Sequence, residues 1–190
     1  MRLRRRQVIA ACGAFCMLAP TARAQALAPG PPRTLEEMAR RVETEFPNVA
    51  HLRIGELVPR SGGAWLFDVR ERAEFDVSHL SDAERMAPNI STSAALGQIG
   101  ARAEGAVIIF YCSVGQRSSR LASRAQSGLE ARGARAVYNL RGGVFAWHNE
   151  ARPLIDRFGP TPYVHPYNES WRRLLTHPHL SAFRARAAGQ

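Results

Sequence analysis

The sequence predicts an α/β domain: a central, mostly parallel sheet with helices on both faces. Three observations carry this. Short apolar runs at 64–69, 106–111 and 135–140 are partly β-branched or aromatic, as strands buried on both faces are. Helical patterns lie between them, the clearest at 118–132, where Leu121, Ala125 and Leu129 make one face and Arg117, Arg120 and Arg124 another; strands alternating with helices argue for a parallel sheet. The second run also ends on Cys112 just before that helix, and a strand-to-helix turn is where sheets of this kind keep their ligands.

In chain order, residues 1–24 read as a secretory signal. Arg2, Arg4, Arg5 and Arg6 form a basic start, 8–18 an apolar segment, and Ala22, Arg23 and Ala24 a small-residue cleavage site before Gln25. Arg5 and Arg6 followed by Gln7, Val8 and Ile9 fit a twin-arginine signal, so a periplasmic location is expected, with the general secretory route as the alternative. The apolar segment is too short to cross a bilayer of about 30 Å, so no lasting membrane insertion is expected after cleavage. Cys12 resembles the cysteine of a lipoprotein box, yet almost no apolar segment precedes it. Once Cys12 and Cys16 leave with the signal, Cys112 is the only cysteine, no internal disulfide can form, and an unpaired thiol in an oxidising compartment points to use.

The chain of 190 residues is 45% apolar and carries a net charge of +10, enough for one domain with a true core plus extensions. Five arginines of that excess fall in the first 24 residues, which leaves 21 basic against 16 acidic side chains. There is no lysine, and no dense basic stripe with interleaved aromatics, so nucleic-acid binding is not expected. Residues 25–33, with Pro29, Pro31 and Pro32, read as a linker. Thr34 and Glu37 have the spacing of a capping box, and Leu35, Met38, Val42 and Phe46 recur at helical spacing until Pro47, giving a helix that covers the sheet within a segment 25–48. Residues 51–54 are a weaker fourth strand.

The stretch YCSVGQRSS at 111–119 carries the chemistry. Gly115 gives the turn access to positive φ, so that successive N–H groups converge on one centre, and the helix that follows adds the positive end of its dipole. Such a nest, with the guanidinium of Arg117, favours thiolate over thiol at Cys112. Ser113, Val114, Gly115, Gln116, Arg117 and Ser118 are therefore the expected anion-binding set and Cys112 the nucleophile. An inert core cysteine would need none of these neighbours.

This loop resembles the active loop of rhodaneses, thiosulfate sulfurtransferases in which the cysteine carries a persulfide from a sulfur donor to a nucleophilic acceptor. The resemblance continues on both sides. Asp68, Val69, Arg70 and Glu71, with Glu74, Phe75, Ser78, His79 and Leu80, are similar to the family's D-V-R-E…E-[FY]…G-H-[IL] segment, and the stretch LRGGVFAW at 140–147 to its closing L-x-G-G-x-x-A-W. Ser78 stands where the family has glycine, and 81–86 is longer than its usual turn. The resemblance covers roughly 49–151 and implies the rhodanese-like three-layer fold, with 86–90 as a short edge piece.

It also implies sulfur transfer from thiosulfate or a similar small anionic donor to a thiol or cyanide through a Cys112 persulfide, with no cofactor and no metal. Asp68 and Arg70 are expected as a supporting buried ion pair that fixes the loop, His79 as a core histidine, Gly142 and Gly143 as a tight turn, and Trp147 as packing beside the active loop's helix. Two alternatives stand beside this reading. Related loops with five residues between cysteine and arginine support phosphatase or arsenate chemistry; here there are four, a narrower cradle. A non-catalytic binding module is the other. The extension 152–190, with Tyr163, Tyr167, Trp171 and Phe183, is expected as an irregular strap with one or two short helices that leaves room for a protein partner. His165, His177 and His179 lack carboxylates at ligand spacing, so no metal is expected there.

Overall fold

The protein is described here by a computed structural model covering residues 30–57 and 64–187. The expected signal peptide at 1–24 and the first part of the linker lie outside the described residues. The apolar runs become strands β1 (Ala50–Leu52), β2 (Ala64–Asp68), β4 (Val107–Tyr111) and β5 (Ala136–Leu140), joined at the edge by β3 (Glu84–Arg85). They form one sheet in the order β1-β5-β4-β2-β3, and every neighbouring pair is parallel. Asp68 lies opposite Tyr111 in the β2–β4 register, so Asp68 and the residue before Cys112 reach the same end of the sheet.

Alternation along β4 sorts its side chains between two cores. Ile108 and Phe110 join the helices α3 (Thr92–Ile99) and α4 (Gln116–Glu130), through Ala95, Ile99, Leu121, Ala125 and Leu129. Ile109 and Tyr111 face the other way, onto α1 (Leu35–Glu45) and α5 (Gly143–Asn149), through Met38, Val42, Val144 and Phe145. Helices thus cover both faces, as expected. None of the described helices is long and apolar enough to cross a membrane.

Local chemistry moves several boundaries. Thr34 caps α1 by accepting from the Glu37 N–H at 3.1 Å, but the Glu37 carboxylate takes the Arg33 N–H at 2.7 Å, so the capping box is only half made. The edge strand lies at Glu84–Arg85 rather than 86–90, because Pro88 has no N–H to give a ladder and the chain turns at once, the Ile90 N–H closing on the Ala87 carbonyl at 3.1 Å. Trp147 packs in the α1–α5 core, with Nε1 donating to the Pro153 carbonyl at 2.9 Å, and not beside α4, which lies across the sheet.

The C-terminal extension is part of this second core. It opens with a hairpin the sequence did not foretell, β6 (Leu154–Asp156) and β7 (Gly159–Thr161), and continues as a strap through α6 (Glu169–Arg172) and a 3-10 turn at Pro178–Leu180. Leu154, Val164, Leu174 and Leu175 are buried against the face of Ile109 and Phe145. The Asn149 side chain donates to the Leu174 carbonyl and accepts from the Thr176 N–H.

Asp68 and Arg70 form the expected buried ion pair, with side chains fully enclosed and the closest contact at 2.7 Å. Arg70 also donates to the Ser78 carbonyl at 2.6 Å, tying the end of β2 to the loop after α2 (Arg72–Val77). Arg70→Met should therefore leave Asp68 charged and unpaired in the interior. The expected loss in denaturant unfolding is about 3–5 kcal/mol, with much of it regained in the double variant Asp68→Asn, Arg70→Met; a single variant within about 1 kcal/mol of the parent would refute this role.

Candidate active site

Gly115 has φ +100° and caps α4, which starts two residues earlier than the sequence pattern suggested and so includes Arg117 in its first turn. A helix start leaves its first N–H groups without intrahelical partners, and here that start follows directly on the cysteine loop. The Gly115 N–H donates to Cys112 Sγ at 3.2 Å. The loop's carbonyls are turned away from that centre. Cys112 O accepts from the Val144 N–H at 2.9 Å and Ser113 O from the Phe145 N–H at 3.0 Å. This contact requires Gly143, since a Cβ there would stand 2.2 Å from Cys112 O.

Cys112 is 1% exposed. It lines a pocket of about 220 Å³ whose other walls are Val114, Gln116, Arg117 and Arg120 from the loop and α4, and Tyr167 and Trp171 from the extension. A larger cleft of about 340 Å³, between α1 and α5, holds no nucleophile, and its Arg141 is already paired with Glu36.

The structure assigns the expected loop side chains differently from the sequence. Arg117 does not project as a free anion ligand: its two terminal nitrogens bind both oxygens of Glu74, at 2.7 and 2.8 Å, and one also reaches Ser113 Oγ at 2.9 Å. Ser113 Oγ donates in turn to Glu74 at 2.8 Å, and Ser118 Oγ to buried Asn139 at 2.6 Å. Gln116 points outward to Glu45. The side chains of Ser113, Arg117 and Ser118 thus brace the loop, because each finds a buried polar partner that the sequence spacing could not reveal. What remains for an anion is the main-chain N–H groups, with the Arg117 charge still near Cys112.

Glu74, Asn139 and His51 were not anticipated as site residues. Glu74 also accepts from the Glu71 N–H at 3.1 Å, completing a capping box for α2; its place in the motif that follows Asp68 and the Glu-x-x-Glu spacing were the available signals. Asn139, which lies against Gly115, donates to His51 Nδ1 at 3.1 Å. His79 is a half-buried histidine held at the Phe75 carbonyl, 3.0 Å away, and stacked on the Phe75 ring; burial lowers its pKa, keeping it neutral.

The Rhodanese-like domain profile matches residues 50–150, more than half of the chain. The chain belongs to the rhodanese-like family. Among solved structures, similar folds include thiosulfate sulfurtransferase from Pseudomonas aeruginosa (19% identity, TM-score 0.49, covering 72% of this chain and 25% of that one). Others are the polysulfide-sulfur transferase homodimer of Wolinella succinogenes (18%, 0.46, 64% and 89%) and a Saccharomyces cerevisiae homologue of single-domain rhodanese and the Cdc25 phosphatase catalytic domain (22%, 0.45, 54% and 82%). No curated protein matches. The rhodanese profile ends at 150, although the packing of the second core runs on through Leu175.

Burial alone would raise the Glu74 carboxyl, but the bonds and charge of Arg117, the charge of Arg70 and the Ser113 hydroxyl outweigh it and hold the pKa down to about 2. The folded value lies below the ordinary 4.5, so the pair's stabilisation is complete above that value and is lost as pH falls through about 2. Glu74→Gln should cost on the order of 3 kcal/mol at pH 7 and progressively less as pH falls below 4.5, so that the parent's stability approaches the variant's in acid. Parallel loss of stability by parent and variant between pH 5 and about 2 in urea titrations would exclude it.

Proposed function

We propose that the protein is a sulfurtransferase that carries a sulfane sulfur from thiosulfate or a similar anionic donor on Cys112. The observation that carries this reading is the geometry at the sulfur. Cys112 Sγ lies at the base of a pocket and accepts from the Gly115 N–H at 3.2 Å, while the carbonyls of Cys112 and Ser113 are held away from it by the Val144 and Phe145 N–H groups of α5. Buried in this way, the sulfur meets only what the pocket admits.

With the sulfonate end of thiosulfate against the loop N–H groups, the Cys112 thiolate attacks the outer sulfur. The new Sγ–S bond forms as the S–S bond of thiosulfate breaks, and the bond's electron pair leaves with sulfite. The same N–H groups that bind the donor meet the charge that grows on sulfite. An incoming thiolate or cyanide then takes the outer sulfur, and the electron pair of the Sγ–S bond returns to Cys112 as thiolate. Arg117, locked to Glu74, contributes rigidity to the loop; its partner leaves it poorly placed to clamp a phosphoryl group, which supports sulfur over phosphoryl transfer.

Thiosulfate should add one sulfur atom to the protein by intact mass, and cyanide should remove it as thiocyanate. Cys112→Ser should neither gain the mass nor turn over. Thiocyanate from the serine variant, or a native protein that gains no sulfur from thiosulfate or polysulfide, would refute the function.

For location, we propose export to the periplasm by the twin-arginine signal at 1–24, from its paired arginines and small-residue cleavage site. The mature N-terminus should be Gln25, read by N-terminal sequencing of periplasmic protein; changing Arg5 and Arg6 to lysine should stop export. Export unaffected by that change would assign the general secretory route instead.

A further inference from the structure

The pocket beside Cys112 has an aromatic wall that an inorganic anion cannot use. Thiosulfate needs N–H groups, and cyanide needs only access to the outer sulfur. Yet the extension brings two aromatic side chains to the mouth. Tyr167 has φ +67°, a region that bulky side chains seldom enter. Its N–H donates to His165 Nδ1 at 3.0 Å, which pins the strained turn, and its ring centroid lies 4.7 Å from that of Trp171 and 5.2 Å from the Arg117 guanidinium carbon. Held so firmly, the ring is nevertheless 43% exposed. Backbone strain that keeps an aromatic ring at a pocket mouth, and not in the core, points to a ligand.

The second feature is Arg120, one turn along α4 from Arg117. Arg117 is neutralised by Glu74, whereas Arg120 lines the same pocket, is exposed, and has no hydrogen-bond or ion-pair partner among the described residues. The mouth therefore offers an apolar, aromatic face on one side and an uncommitted guanidinium on the other, with the reactive sulfur at the base.

We propose that this pocket is the acceptor subsite for an organic thiol bearing a carboxylate. This reading rests on the persulfide chemistry assigned above to Cys112. The carbon chain lies against Tyr167 and Trp171, the carboxylate meets Arg120, and the thiolate faces the outer sulfur of the Cys112 persulfide. The acceptor's sulfur then bonds to the outer sulfur as the Sγ–S bond breaks. The acceptor departs as its own persulfide, and Cys112 keeps the electron pair as a thiolate beside the Gly115 N–H. No oxidant or reductant enters.

The test loads the full mature protein with sulfur and follows discharge by intact mass, with 3-mercaptopropionate and its neutral counterpart 3-mercaptopropan-1-ol compared per thiolate present. The acid should discharge the persulfide with saturation and about tenfold faster at low concentration, the value for one exposed charge-assisted contact. Arg120→Ala should bring the ratio of the two thiols close to one, Arg120→Lys should restore part of it, and Tyr167→Ala should slow both thiols relative to cyanide. Because rates are taken per loaded protein, the ratio does not depend on how readily a variant loads. Equal discharge by acid and alcohol in the native protein, or a ratio that survives Arg120→Ala, overturns the subsite while leaving sulfur transfer intact. A native protein that never loads sulfur overturns both.

Discussion

The contact between the active loop's carbonyls and the first turn of α5 is the constraint on which the rest of the site depends. A peptide group has two ends, so N–H groups can converge on the Cys112 sulfur only if the carbonyls find partners elsewhere. Val144 and Phe145 supply those partners, and Gly143 lets the two backbones approach to a separation that any side chain would prevent. The two αL glycines that start α5 and the positive-φ Gly115 that starts α4 are thus one device seen from two elements. Both helices begin at the carboxyl end of the parallel sheet, which is why a sheet of this topology can bring them together.

Electrostatics completes the picture by cancelling most of the charge that the site contains. Asp68 neutralises Arg70 and Glu74 neutralises Arg117; the first pair is fully enclosed, so breaking it would leave a bare ion in the interior, and in the second the carboxylate is buried while Arg117 still reaches the pocket. Their role is to hold the ends of β2 and α2 against the loop. The charge available to a ligand comes from peptide dipoles and from Arg120. A preorganised dipole field needs no reorganisation as charge moves from one sulfur to another, which is what the proposed sulfur transfer would require of it.

The parts of this arrangement legible in the sequence are those fixed by nearby residues. The runs at 64–69, 106–111 and 135–140 became β2, β4 and β5 to within one residue at either end, because period-2 burial on both faces leaves an apolar run that no turn residue interrupts. The cysteine loop was legible for the same reason. The partners of Arg117 and Ser118 were not: Glu74 is 43 residues from Arg117 and Asn139 is 21 from Ser118, and spacing along a chain says nothing of contacts that exist only once β2, β4 and β5 align. A loop arginine beside a cysteine reads as an anion ligand until the carboxylate that claims it is located. The edge strand was misplaced by reading apolar residues where Pro88 decides the outcome, and the β6–β7 hairpin was missed because Pro160 lies within its second strand.

The extension changes how the unit that builds the site should be delimited. A strap tethered only at its start could swing away from the pocket, and its aromatic residues would then be an optional docking surface. Here Leu154, Val164, Leu174 and Leu175 are buried on the same face of the sheet as Phe145, the residue whose N–H holds Ser113 O. His79 and Ile155 exchange two main-chain hydrogen bonds, of 2.8 and 3.0 Å, joining the hairpin to the loop that also receives Arg70. Displacing Tyr167 from the mouth of the pocket would therefore disturb the packing that orients α5 and, through it, the carbonyls of the active loop. The wall around the sulfur and the field at the sulfur are products of one core, so the extension is as much a part of the site as the loop itself.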